Sequence, residues 1–156
     1  MRRVALSPEQ VRALAAGSPV SVDGIPVAWP DDDRRVLRYR LEALDADPAS
    51  APYLLHVVLD GDRVVARIGC HEGPRDGGVE IGYYVAPPAR GRGVATALVG
   101  EYLAWLASRG VRRVRAAARP DNSASLAVLA HHGFAAVGAQ EDDEDGPEIV
   151  HEVLLR

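Results

Sequence analysis

Lysine is absent from this chain of 156 residues, so all 18 basic side chains are arginine. A Schiff-base nucleophile and a Walker-type phosphate lysine are thereby excluded, and any bound phosphate must be met by arginine and backbone amides. Cysteine occurs once, at Cys70. No internal disulfide can form, and a reducing compartment, the cytoplasm, is expected. The 22 acids outnumber the arginines to give a formal net charge of -4, without the basic excess of a general nucleic-acid binder. No apolar run is long enough to span a membrane. Met1-Arg2-Arg3-Val4-Ala5 leads into Ser7-Pro8-Glu9-Gln10 rather than an apolar core, so a secretory signal is not expected. There is no Gly-x-Ser-x-Gly elbow. His56, His71 and His151 have no metal-ligand spacing with Cys70. Cys70 and His71 are adjacent, but neighbours on a strand point to opposite faces, so no metal is expected. No internal repeat is present, and the length with 47% hydrophobic residues suits a single domain over residues 1–156.

The pattern along the chain is mixed. Ser7-Pro8-Glu9-Gln10 predicts a helix start with Ser7 as cap, Pro8 at the first position and Gln10 completing a capping box. Val11, Leu14 and Ala15 give it a short apolar stripe, and Gly17 ends it. A second helix is predicted from about Asp31 to Leu44, with Asp31, Asp32 and Asp33 at its positive end. Asp47–Pro52 reads as a linker. Tyr53–Leu59, the turn Asp60-Gly61-Asp62 and Arg63–Cys70 form a hairpin signal, and a third strand, Val79–Val85, follows the turn Gly73–Gly78. Pro87 and Pro88 stop the pairing. The helix from Val94 to about Ser108 carries Ala97, Leu98, Tyr102, Trp105 and Leu106 on one face, interrupted by Glu101. A strand over Val111–Ala118, a short helix opened by Asn122 or Ser123 and ended by Gly133, and strands at Phe134–Val137 and Ile149–Leu155 complete the reading. Mutual repulsion places Glu141–Glu148 in a solvent-facing loop or hairpin tip, although that charge could attract a cationic amine or basic peptide. Trp29, beside Pro30, belongs to the core or lines an acceptor cleft. The element order indicates an α+β domain with a partly open sheet.

The segment Arg90-Gly91-Arg92-Gly93-Val94-Ala95 lies between a strand and a helix start. Glycines there let a ligand approach the backbone, and first-turn amides without intrahelical partners, at the positive end of a helix, form an anion site. Arg90 and Arg92 add charge-assisted donors. A solvent-exposed loop is the plainer alternative.

This arrangement resembles the phosphate-binding element of the GNAT superfamily of N-acetyltransferases, in which Gln or Arg is followed by two residues, Gly, one residue, and Gly or Ala. Arg90, Gly93 and Ala95 fall on it. Asn122-Ser123-Ala124-Ser125 with His132-Gly133-Phe134 resembles the superfamily's downstream Asn…Ser…Gly-Phe segment. Glu80-Ile81-Gly82-Tyr83 is most similar to the branch that acetylates N-terminal amines of ribosomal proteins. The resemblance covers roughly residues 50–138.

It implies a single GNAT-like α+β domain, with a mixed, mostly antiparallel central sheet splayed at the cofactor site and helices on both faces. It implies transfer from acetyl-CoA to a primary amine, of a small molecule or a protein N-terminus, by direct attack in a ternary complex. The pantetheine arm would lie where the Val79–Val85 and Val111–Ala118 strands part, paired to the backbone of Tyr84, Val85 and Ala86. The pyrophosphate would meet Arg90, Gly91, Arg92, Gly93, Val94 and Ala95. Asn122 would cap its helix and reach the arm, and Ser125 would contact the cofactor's adenosine-phosphate end. Glu80, breaking an apolar strand, is the candidate base; partial burial would raise its pKa. A strand amide is the expected oxyanion donor. Many members place a thiolate-protonating tyrosine at the position of Leu129, leaving Tyr83, Tyr84, His131 and His132 as spare acids, with helix-end charge compensation the favoured role for the histidines. That absence keeps a second reading in view, a non-catalytic acyl-CoA-binding sensor or interaction module. A homodimer is a further possibility.

Overall fold

The structure, a computed structural model, describes residues 2–156. Strand β1 (Arg2–Ala5) opens it, unmarked in the sequence because Arg2 and Arg3 interrupt any apolar alternation. Helix α1 (Pro8–Ala15) begins as Ser7 and Gln10 predict. Gln10 N–H donates to Ser7 Oγ and Ser7 N–H to Gln10 Oε1, closing the capping box. Strands β2 (Val20–Val22) and β3 (Ile25–Val27) form a small separate hairpin about Asp23 and Gly24, both at positive φ.

The second helix differs from its predicted start. Asp31–Asp33 is a 3-10 turn, and α2 spans Arg35–Ala46. Asp33 does not complement a helix dipole. It turns inward to accept two hydrogen bonds from Arg67, each of 2.8 Å. The expected linker is structured too, as a 3-10 turn over Pro48–Ser50 and helix α3 (Ala51–Leu54). Asp47 caps that turn through Ala49 N–H, and prolines favour the first helical positions. Tyr53 and Leu54 therefore leave the predicted strand, which as β4 spans His56–Asp60.

Strands β5 (Arg63–Cys70) and β6 (Gly78–Val85) continue the antiparallel meander. Helix α4 (Val94–Ser108) and strand β7 (Arg113–Ala118) follow, then helix α5 (Ser123–His131) with Asn122 as its cap. The buried stripe of α4 is Val94, Leu98, Val99, Tyr102, Leu103 and Leu106. Ala97 is exposed, as is Glu101, which pairs with Arg3 instead. Strands β8 (Ala135–Asp142) and β9 (Gly146–Leu154) run well into the acidic stretch and leave only a short turn. That tip is not free in solvent. Glu144 and Asp145 pair with Arg35, and Glu144 also with Arg38, so arginines of α2 relieve the repulsion.

Among the described residues seven of the nine strands form one sheet, in the order β1-β4-β5-β6-β7-β9-β8, and in it only β6 and β7 are parallel. Strand alternation divides the core between two faces. Val57 and Leu59 meet α1 and α2, whereas Val58, Ala66, Ile68 and Cys70 meet α4 and α5. Trp29 is buried in the first of these and donates Nε1–H to Asp33 O, so it does not line a cleft. Gly69 is required where α3 crosses β5, because a methyl group there would stand 1.9 Å from Leu54 O. Among the described residues no helix is long and apolar enough to cross a membrane.

Candidate active site

The parallel pairing of β6 and β7 runs only from Gly78–Arg113 to Ile81–Ala116. Beyond it β6 stays with β5, while Ala117 and Ala118 follow β9, and the strands part. Glu80 C=O accepts from His71 N–H, and Ala86 N–H donates to Val65 O. Alternation therefore assigns the even-numbered residues of β6 to β5 and turns the backbone of Tyr83 and Val85 into the gap. This corrects the expected trio of Tyr84, Val85 and Ala86. Tyr84 pairs with Arg67, and both backbone groups of Ala86 are engaged, the carbonyl by Ala89 N–H. Only Val85 of the three faces the gap, and its carbonyl accepts from Arg90 Nε at 2.9 Å.

A 3-10 turn at Pro87–Ala89 leads into the glycine turn, where Gly91 and Gly93 both have φ of 75°. That left-handed region favours glycine, so the two residues are needed for the chain to reverse into α4. Gly93 caps the helix without any side-chain hydrogen bond, and the first helical bond is Ala97 N–H to Gly93 O. The amides of Val94, Ala95 and Thr96 thus lack intrahelical partners at the positive end of a 15-residue helix. Val94 sends its side chain into the core and offers only its amide. Arg92 is exposed, and Arg90 lies over the Tyr84 ring.

A cleft of about 1090 Å³ opens over the face of β5 and β6 that meets α2 and continues through the gap to α5. Of the predicted site residues it brings together Glu80, Asn122 and Ser125; the segment Tyr84–Ala95 lies beyond its lining. Glu80 is one-third exposed, and its Oε2 lies 3.7 Å from His71 Nδ1. Burial raises its pKa, with the charge of Glu148 adding to this and Gln140, Arg115 and Arg40 opposing it. Asn122 Oδ1 caps α5 through Ser125 N–H, and Ser125 Oγ is 2.7 Å from Tyr83 Oη. Burial raises the pKa of Tyr83, against the effect of its Ser125 hydrogen bond, so the phenol stays protonated near neutrality.

The other spare acids are engaged elsewhere. Tyr84 donates to Asp32, and burial together with that carboxylate pushes its pKa up to about 12. His132 Nε2 lies 2.7 Å from Thr96 O, linking α5 to α4, and His131 is exposed. Leu129 is fully buried in the core beside α4. Cys70 is fully buried, and burial pushes its thiol up to about 11 despite hydrogen bonding to Tyr102. Among the described residues no cluster of His, Cys, Asp or Glu could hold a metal ion.

The sequence reading missed Arg40, Arg67 and the site role of His71. A signal for two of them existed. Arg67, Gly69 and His71 alternate along one strand, and in the register they face Tyr84, Gly82 and Glu80 on the next. Arg40 left no such trace, since an arginine on a helix ordinarily faces solvent.

A sequence model of the acetyltransferase (GNAT) family matches residues 17–134. No curated protein matches the chain in sequence. Among solved structures, a ribosomal-protein-alanine N-acetyltransferase from Brucella melitensis is 20% identical, with 99% of this chain and 100% of that one covered and a TM-score of 0.66. A ribosomal-protein-S5-alanine acetyltransferase from Vibrio fischeri is 17% identical over 97% of this chain and 91% of that one, with a TM-score of 0.67. A putative acetyltransferase, yncA, from Salmonella typhimurium, solved with its cofactor acetyl-CoA, is 16% identical over 99% and 94%, with a TM-score of 0.67. The chain belongs to the acetyltransferase (GNAT) family. It is an acetyltransferase by that membership, with the family's acetyl-CoA as donor.

Proposed function

We propose that this family member moves the acetyl group of acetyl-CoA to a primary amine by direct attack in a ternary complex. The observation that carries the reading is the parting of β6 and β7, with Glu80 one residue before the last pair. On one side the gap opens to a cleft. On the other, β6 leads to the unpartnered amides of α4.

In this reading the amides of Val94 and Ala95 hold the pyrophosphate, joined by Arg90 and Arg92. Gly91 and Gly93 keep side-chain bulk out of the way. The pantetheine arm pairs with the gap-facing backbone of Tyr83 and Val85. Arg90 then exchanges its bond to Val85 O for a phosphate oxygen. Asn122 Nδ2 and Ser125 Oγ border the arm from α5.

Glu80 takes the ammonium proton, directly or through one water, and its raised pKa brings it nearer the range a base needs. The nitrogen lone pair attacks the thioester carbonyl carbon, forming the C–N bond while the carbonyl electrons move to oxygen. Tyr83 N–H stabilises that oxyanion. Collapse breaks the C–S bond, and the thiolate takes its proton from Tyr83 Oη, the one spare acid that lines the cleft. The attacking nitrogen, cationic after C–N bond formation, loses its second proton to water, and the Tyr83 phenolate is reprotonated from solvent. An acetyl-cysteine route is disfavoured, because Cys70 is sealed in the core with its thiol protonated. A reducing cytoplasm fits this free thiol.

The test is thiol release from acetyl-CoA with pooled amines and with Ala- or Ser-starting peptides, for wild type and Glu80→Gln. Amine-dependent release that falls about 100-fold or more in the variant, with acetyl-CoA binding retained, is expected. Cofactor binding without release from any amine would favour a sensor instead.

A further inference from the structure

At the floor of the cleft two arginines have only one carboxylate hydrogen-bonded between them. Arg40 is 4% exposed, yet it donates only Nε, to Leu54 O at 3.0 Å, and makes no other hydrogen bond or ion pair among the described residues. Its remaining nitrogens lie at the cleft. Beside it, Arg67 commits Nε and Nη2 to Asp33, and Nη1 has no hydrogen-bond partner among the described residues. These atoms point to one place. A methyl group built on Gly82 would lie 3.5 Å from Arg40 Nη2, 3.6 Å from Arg67 Nη1 and 3.1 Å from His71 Nε2. Two guanidinium groups there share one hydrogen-bonded carboxylate, that of Asp33, so the missing charge is one that an anion in the cleft can supply to their free nitrogens.

The surroundings agree. Burial lowers the pKa of Arg40 to about 10, and the charge of Arg67 adds to this. Burial, Arg40 and Arg67 also lower the pKa of His71, leaving a neutral imidazole that can present its N–H at Nε2. The opposite end of the same face is acidic, with Glu80 and Glu148 both lining the cleft. Glu80 and Gly82 are two residues apart on one face, about 7 Å along the strand. That is the span of an α-amine and its carboxylate, with a hydrogen bond added at each end.

We infer that the acceptor is a small α-amino acid, whose carboxylate is bound above Gly82 by Arg40, Arg67 and His71 while its amine faces Glu80. A peptide N-terminus presents a neutral amide at this position and cannot supply the missing charge. A polyamine would add positive charge to it. The inference rests on the amine-transfer reading for its chemistry, but the carboxylate site itself can be tested without turnover.

The experiment uses the full chain saturated with desacetyl-CoA, titrated calorimetrically with L-α-amino acids grouped by side chain, with their carboxamides, and with the corresponding decarboxylated amines. Thiol release from acetyl-CoA is measured on the same sets. At least one amino acid is expected to bind about 100-fold more tightly than its carboxamide, in line with the loss of a charged, bidentate partner. Gly82→Ala, which fills the site, should abolish that preference while acetyl-CoA affinity stays within about twofold of wild type. Arg40→Gln should act alike if its thermal melt remains cooperative, and Gly82→Ala decides the matter if it does not. Carboxylate-selective binding without thiol release would uphold the site and overturn amine transfer. Equal use of amines, amides and acids, or an undiminished preference in Gly82→Ala, would overturn the site and leave amine transfer intact. No binding by any amino acid would also overturn it.

Discussion

Replacing His56 by glutamine should flatten the acid side of the stability profile. His56 is 2% exposed, packed edge-on against Tyr102 and Trp105. Arg3 Nη1 lies 2.6 Å from Nδ1 and can only donate, so Nδ1 accepts and Nε2–H donates to Pro52 O at 2.7 Å. A proton on Nδ1 would lose that acceptor and face a guanidinium. Burial is the largest cause of the shift, opposed by the Pro52 bond and reinforced by Arg3, and the pKa falls from 6.5 to about 4. With the folded value depressed, the unfolded chain takes up the proton first as pH falls. The stability held by neutral His56 is therefore complete above the unfolded pKa and is lost as pH drops toward the folded one. The full difference is about 3 kcal/mol, of which about 2 kcal/mol is gone by about pH 5. Urea unfolding followed by Trp29 and Trp105 fluorescence, from about pH 8 to about pH 5, measures it. Glutamine keeps a donor for Pro52 O but does not titrate, so its profile should fall by about 2 kcal/mol less over that range. Parallel profiles for the two proteins would refute the argument, since only His56 differs.

Gly69→Ala should lower the unfolding free energy measured in urea by about 3 kcal/mol or more, because its methyl group would meet Leu54 backbone atoms at 1.9 and 2.6 Å. Gly138→Ala, with nothing within 4 Å of the new methyl group, should change stability by less than about 0.5 kcal/mol. Cys70 should resist iodoacetamide in the native protein at neutral pH and react only on unfolding, as mass spectrometry can read; rapid native labelling would contradict its burial. The acid limb of kcat/KM should lie above the ordinary glutamate range, rising with pH as Glu80 ionises through its raised pKa. The limb should vanish from the residual activity of Glu80→Gln, and its persistence would assign the base elsewhere.

Local signals in the sequence reach local structure. The capping box at Ser7, the glycine turn, the limits of α4 and the cap at Asn122 each depend on a few adjacent residues, and each lies where the chain indicates. The glycine turn, the Asn122–Ser125 segment with Gly133-Phe134, and Glu80–Tyr83, taken in order, were enough to recognise the family. What failed was non-local. Asp33 was drawn from a helix start by Arg67, 34 residues away, and the acidic tip by Arg35, more than a hundred residues before it. No short window contains both members of such a pair. The unforeseen β1 exists because β4 offers it an edge.

The site divides in the same way. The sequence by itself offered Glu80 and the Arg90–Ala95 turn as candidates, because a carboxylate interrupting an apolar strand and the chemistry of a helix start are short-range features. Tertiary structure decided which β6 amides face the gap, since that depends on where β7 leaves to follow β9. It also decided that Arg40 of α2 and Arg67 and His71 of the β5 segment would surround a glycine with one carboxylate among them. An arginine in a sequence is free to find water. Only the packing of α2 and α3 over the sheet buries most of Arg40 and leaves its free nitrogens facing the cleft, and this turns an ordinary helix residue into a donor for whatever enters it.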